Sequence, residues 1–175
     1  MNYARHGHSC CTILDRYIIV SGSRKEVNNA ANRVELYDAQ IDEWLELPRI
    51  NEGRHYHSSC HFNHKFVFVF GGIQNSNKKY SASIEKFQFD LDNLSSKNWE
   101  RVNISKSMMQ SQITARQGAG MCQIGPEEIV IVGGFNGKFL NDYYTLNYDT
   151  ETGEPKKVFK AENLSMSGTF TLFPF

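Results

Sequence analysis

Three arginines recur at one place in the 175-residue sequence. Arg5, Arg54 and Arg116 each stand just before a β-like run, at spacings of 49 and 62 residues. A planar guanidinium fork matches a carboxylate, so a ring of such arginines at one rim of a channel could clamp an acidic peptide. The plainer expectation is that they donate to carbonyls of adjacent segments and hold those segments together. Four of the six histidines, His55, His57, His61 and His64, fall within ten residues. Zinc needs three or four ligands converging at about 2 Å. A strand and a turn spread these imidazoles over roughly 15 Å, so no metal site is expected. Cys11, Cys60 and Cys122 occupy one repeated position beside Cys10 and read as small, reduced core residues rather than disulfide partners. No Gly-x-Ser-x-Gly, phosphate loop or zincin helix is present. Glu127-Glu128 sits in an exposed turn and does not read as a catalytic pair. No catalytic residue and no cofactor is therefore expected. Met108 and Met109, in a Ser- and Gln-rich insertion, offer either an adaptable apolar contact for a partner or a plain surface loop.

The elements that must position these groups radiate from Phe66-Val67-Phe68-Val69-Phe70-Gly71-Gly72. Ile129 to Gly134 repeats this run 62 residues later, and Tyr17 to Ser23 is a weaker copy 49 residues earlier. Such runs are too short for helices, and the glycines end them. A strand apolar on both sides must be covered on both sides. Before each run lies another β-like stretch, joined by Asp15-Arg16, Asn63-His64-Lys65 or Gly125-Pro126-Glu127-Glu128, which reads as a hairpin. A third strand follows the glycines and ends in an aromatic plus Asp: Tyr37-Asp38, Phe89-Asp90 and Tyr148-Asp149. A fourth starts at Trp44 and Trp99, and Val158 holds that place in the third unit. Both tryptophans should pack between units. Four short antiparallel strands, used three times, describe propeller blades.

The repeat resembles the kelch family. Arg5-His6-Gly7-His8-Ser9 and Arg54-His55-Tyr56-His57-Ser58 carry its Arg-x-x-His start, and Arg116-Gln117-Gly118-Ala119 keeps only the arginine. Gly71-Gly72 and Gly133-Gly134 match its double glycine, whereas Gly22-Ser23 matches by half. Tyr37 and Tyr148 match its later tyrosine, with Phe89 substituting. The resemblance covers about residues 5 to 162. It implies an all-β, kelch-type β-propeller: three four-stranded blades at about 5–53, 54–115 and 116–166, plus the start of a next blade at 167–175. It also implies a structural hydrogen bond for His57. Fold alone does not give function.

Even four blades of about 50 residues would need roughly 200, so the ring is incomplete. Either further blades come from another stretch or chain, or two copies form a homodimer of half-propellers. The strand-like Gly168 to Phe173 favours the former. Nineteen basic and nineteen acidic residues balance, so no attraction to nucleic acid or an anionic membrane is predicted. No run is long enough to span a membrane, and Met1 to His8 is not a signal peptide. A cytoplasmic, non-enzymatic protein-interaction scaffold follows, a subunit of a larger intracellular assembly for which a cytoskeletal or ciliary home is reasonable. Its partners would be other protein chains, docked at a blade edge or on rim loops. The alternatives are the substrate-recognition propeller of a cullin-type ubiquitin ligase, which the resemblance suggests, and a sugar- or metabolite-directed propeller enzyme.

Overall fold

The structure is a computed structural model and describes residues 1–24, 30–94, 97–108 and 112–161. Blade one consists of β1 (Ser9–Ile13), β2 (Tyr17–Ser21), β3 (Val34–Asp38) and β4 (Glu43–Leu47). A short β5 (Arg54–His55) leads into blade two, made of β6 (Ser58–Phe62), β7 (Phe66–Phe70), then β8 (Ile73–Gln74), β9 (Ile84–Gln88) and β10 (Glu100–Arg101). Blade three holds β11 (Gly120–Gly125), β12 (Glu128–Val132), β13 (Tyr143–Tyr148) and β14 (Pro155–Ala161). Each blade is a four-stranded antiparallel meander, while β5 pairs only with β8. The all-β expectation is met. The further blade expected at 167–175 lies outside the described residues, as does Met109. No helix among the described residues is long and apolar enough to cross a membrane.

Side chains alternate between the two faces of a strand, so each blade presents one face to the blade before it and one to the blade after. Two apolar layers result. Between blades one and two lie Ile13, Ile19, Leu36, Val69, Phe87 and Trp99. Between blades two and three lie Phe62, Phe68, Phe70, Ile131, Leu146 and Tyr148. All five residues of β7 are buried, because a blade covers each face. In β12 only Ile129 and Ile131 are fully buried; Val130 and Val132 face the side where no described blade follows.

Strand register corrects one sequence alignment. Tyr37 pairs with Ile18, Phe87 with Val67, and Leu146 with Ile129. Tyr37 is therefore the counterpart of Phe87, not of Phe89 or Tyr148. The aromatic-Asp pair stands two residues earlier in register in blade one than in blades two and three, so these pairs coincide in sequence style but not in space. Trp44 and Trp99 do share one place, opposite Tyr37 and Phe87. Trp99 is inter-blade: it is 3% exposed, stacks on Phe87 at 5.4 Å and donates its indole N–H to Pro48 O at 2.9 Å. Trp44 is not. It leans on Tyr37 at 5.0 Å, half-buried, on the side of blade one that no described blade covers.

The double glycine is required by crowding. A Cβ on Gly72 would sit 2.6 Å from His55 O and 2.8 Å from His57 Cβ, at a φ of +84°. Gly72→Ala should lower stability by at least about 2 kcal/mol, since clash adds to left-handed strain. Gly137→Ala has φ +107° but open space around it, and should cost only about 1–2 kcal/mol. Urea unfolding of the two variants measures the difference; equal losses would mean that the clash with His55 and His57 is relieved by movement.

Candidate functional site

The three arginines are not at the surface. Each guanidinium is fully buried. Arg5 donates to Gly22 O and Arg33 O at 2.9 and 3.0 Å, and to Glu35 at 2.6 Å. Arg54 donates to Gly71 O at 3.0 Å, to Ser83 O at 3.3 Å and to Glu85 at 2.6 Å. Arg116 donates to Gly133 O at 2.8 Å and to Asp142 at 2.5 Å. In every unit the arginine therefore holds the carbonyl of the first glycine and one acid of the third-strand region. Both expectations for the arginines change. They expose no fork to an acidic peptide, and their side chains bind carbonyls of their own blade rather than of the adjacent one.

The inter-blade link is made by the arginine backbone instead. Ser23 N donates to Arg54 O at 3.1 Å, and Gly72 N donates to Arg116 O at 2.8 Å. A second link runs between residues two places on: Tyr56 N donates to Gly7 O at 2.7 Å, and Gly118 N donates to Tyr56 O at 2.8 Å. All three of these residues have positive φ, Tyr56 among them at 54°. The glycines at 7 and 118 were the visible signal for this link, and Tyr56 masked it.

Blade three departs from the pattern. Tyr144 takes the place held by Glu35 and Glu85, opposite Ile131. Asp142, just before β13, supplies the missing charge, and the Arg116 guanidinium lies 5.0 Å from the Tyr144 ring. Tyr144 also ties down the incoming loop, accepting from Thr114 N and donating to Gln112 O.

The family profile described as the KLHDC2/KLHL20/DRC7 Kelch-repeats domain matches residues 1–163. The chain belongs to the kelch-repeat family. Alpha-scruin of Limulus polyphemus is 29% identical over 117 residues, 66% of this chain and 12% of that protein. The F-box/kelch-repeat protein SKIP20 of Arabidopsis thaliana is 34% identical over 61 residues, 35% of this chain and 14% of that protein. The chain thus spans a small fraction of the length of the curated relatives it matches.

Within this kelch fold the first strands β1, β6 and β11 stand side by side and line a cavity of about 690 Å³. Cys10, Cys11, Cys60, Cys122 and Met121 face it. Burial pushes the Cys11 thiol up to about 12 and that of Cys60 well above the usual range; Cys122 is raised by burial too. These thiols stay protonated near neutral pH, which makes them poor nucleophiles and poor metal ligands. No group of three or more His, Cys, Asp or Glu among the described residues is arranged to hold a metal ion. The histidines separate as well. His57 is buried with Nε2 2.8 Å from Ser21 Oγ of blade one, His55 bonds Asn75 at 2.6 Å, and His61 stacks on His64. The resemblance had implied a structural hydrogen bond at His57, and this contact is one.

The balanced net charge conceals a division. The rim carrying the hairpin turns holds Asp15, Asp42, Asp92, Glu127 and Glu151; its cations Arg16, Lys65 and Lys156 are paired, while Lys97, in the same connection as Asp92, forms no ion pair with a described residue. On the opposite, Gly-Gly rim the acids Glu46, Glu52 and Asp142 are engaged by arginines. Lys78, Lys79 and Lys138 there form no ion pair with any described residue. Two adjoining grooves on this rim, about 700 and 420 Å³, share Thr114 and Asn136. Lys78, Lys79 and Tyr80 flank the first, and Lys138 and Phe139 the second. Tyr80, Phe135 and Phe139 form an edge-on aromatic row, and Phe139 is 89% exposed. The Met108 turn, Lys106–Met108, lies instead beside β14, with Met108 half-buried.

Two outcomes follow. Arg54→Ala leaves Glu85 buried without its guanidinium and should cost about 3–5 kcal/mol, read by denaturant unfolding. Burial first, then the nearby Arg54 and His8, lower the His57 pKa to about 3. The unfolded chain takes up this proton near 6.5 and the folded chain only near 3, so stability should fall as pH drops through that window, by up to about 1.4 kcal/mol per unit. His57→Gln should lower stability at pH 7 and flatten the decline between pH 6.5 and 5. An unchanged decline would place its origin elsewhere.

Proposed function

We propose that the chain is a non-enzymatic protein-interaction module whose Gly-Gly rim binds an acidic segment of a partner through Lys78, Lys79, Lys138 and Phe139. The observation that carries this reading is one exposed aromatic set among three unpaired lysines, over two joined grooves. An apolar anchor on Phe139 with carboxylates on the lysines is the complementary ligand. Complementary charge speeds and orients such encounters, and aromatic anchors supply much of the binding energy at interfaces. Against an enzyme stand the raised cysteine pKa values and the separated histidines. Membership of a family of typical protein-interaction propellers supports the reading.

The setting we infer is a cytoplasmic assembly in which this propeller segment is one rigid part, with a cytoskeletal or ciliary location as the finer proposal. One relative carries F-box in its name, and this favours a second reading: the rim selects substrates for a ubiquitin ligase. Both readings use the same surface, and they differ in what becomes of the bound protein.

The test is binding of a fluorescent Glu-rich peptide containing one Tyr and one Leu, by anisotropy, at two salt concentrations. Wild type should bind, and more weakly at high salt. Lys78→Glu with Lys79→Glu should weaken binding by about tenfold or more, and Phe139→Ala by a smaller factor that does not vary with salt. Equal binding by all variants would sink the rim assignment. Turnover of any small substrate by the purified chain would sink the non-enzymatic one.

A further inference from the structure

On the Gly-Gly rim, a second set of cations lies over the junction of blades one and two. His55 ends β5, and Arg24 follows the glycine turn of blade one. A run of hydrogen bonds ties these segments together. Arg24 N donates to His6 O at 3.0 Å. Asn75 Nδ2 donates to the carbonyl of the residue before Arg24, Ser23 O, at 2.8 Å, and Asn75 Oδ1 lies 2.6 Å from His55 Nδ1. Asn75 N donates to Gly53 O at 2.8 Å and Lys78 N to Gln74 O at 2.9 Å, so the turn that carries Lys78 is anchored at the same place. Arg24 and Lys78 are exposed, and neither forms an ion pair with a described residue.

The directions of these bonds leave one imidazole nitrogen for a ligand. Asn75 spends its amide N–H on Ser23 O, so its carbonyl oxygen faces His55 and Nδ1 carries the hydrogen. Nε2 of His55 has no hydrogen-bond partner among the described residues. Burial lowers the His55 pKa; the Asn75 bond opposes this, and the positive charges of Lys78, Arg24 and His6 lower it further. The groups around this ring are Arg24 and His6 from blade one, Asn75 and Lys78 from the turn after β8, and Tyr56 and His57 along its own chain. Cations gathered at one spot repel one another unless an anion joins them. A carboxylate brings one charge. A phosphate monoester brings about −1.5 to −2 charges and three acceptor oxygens, and its second pKa lies near about 6. That charge matches a guanidinium and an ammonium together, and that pKa falls where an imidazole changes its own charge.

We propose that Arg24, Lys78, His6 and His55 form a site for a phosphate monoester, borne by a phosphorylated side chain or by a small phosphorylated metabolite. The Arg24 fork suits two phosphate oxygens and the Lys78 ammonium a third. His55 Nε2 donates to the phosphate once it is protonated, so binding takes up a proton there. Lys78 also flanks a groove of the lysine rim, but Arg24, His6 and His55 have no part in that reading, and the inference does not rest on it.

Inorganic phosphate is the first probe. It is titrated into the chain at fixed ionic strength, with chloride as the comparison, while the imidazole resonances are followed by NMR. His55 should shift saturably with phosphate and not with chloride, and its titration midpoint should rise when phosphate is present. Arg24→Ala should weaken binding by about tenfold, whereas Phe139→Ala should leave it unchanged. A phosphoserine peptide, its unphosphorylated form and glycerol phosphate then separate the two sources. Tighter binding of the phosphopeptide than of either other probe places the phosphate on a partner chain; tighter binding of glycerol phosphate assigns it to a small molecule. No saturable shift, or an equal one in chloride, would overturn the site. Binding indifferent to Arg24→Ala would overturn its assignment to these residues, and an unmoved His55 midpoint would remove the imidazole from it. The lysine rim is read separately, by Phe139→Ala against the Glu-rich peptide, so either proposal can fail alone.

Discussion

A buried guanidinium that must be neutralised and hydrogen-bonded within its own blade is the constraint around which each blade forms. Leaving such a charge without partners in the interior costs far more than a native fold can spare. Arg54 is satisfied only when the end of β7, the loop holding Ser83 and the carboxylate of Glu85 converge on it. That convergence fixes the turn after the glycines and the start of β9 relative to β5. With the side chain committed inside its own blade, the carbonyl of the same residue is left pointing at the preceding blade, where Ser23 N reaches it. One residue type thus organises a blade through its side chain and a junction through its backbone. The glycines follow from this, because a Cβ on Gly22 would lie 2.4 Å from Arg54 O.

Blade three shows how the constraint is kept when the sequence changes. Its strand position for the acid holds Tyr144, and the charge moves two residues back to Asp142. The guanidinium keeps its glycine carbonyl and gains an aromatic neighbour. The tyrosine hydroxyl then fixes the long connection entering the blade. The arginine's charge and its carbonyl contact are therefore what the architecture holds constant, while the position of the acid is free to shift.

Function is carried by what this framework leaves over. Every strand-borne ionic group that the framework needs is paired and buried, so the surplus charge collects in the loops. Cations gather on the Gly-Gly rim and anions on the hairpin rim, and a net charge of zero becomes a molecule with two unlike ends. Phe139, in a tight loop of the third unit, is the most exposed large apolar side chain among the described residues, and it sits among the lysines rather than away from them. The channel, in contrast, carries Cys11 and Cys60, whose thiols burial keeps neutral.

The sequence by itself determined the blades, their strand number and their order. These follow from local patterns: apolar runs ended by glycines, turn residues between them, and arginines spaced like the glycines. The kelch assignment rests on the same features. What it left open depends on distance and direction, which spacing does not encode. The direction in which Arg5, Arg54 and Arg116 point was decided by acids 26 to 31 residues away that only strand pairing brings near. The two-residue offset of Tyr37 emerged from hydrogen-bond register, since a shift by a full side-chain period keeps the aromatic on the same face and so keeps its sequence appearance. Trp44 and Trp99 are alike in sequence and in register, yet one is buried and the other half-open, because only Trp99 has a described blade before it. The basic rim was hidden in a zero sum, and became a surface only when antiparallel strands sent alternate loops to opposite ends of the molecule.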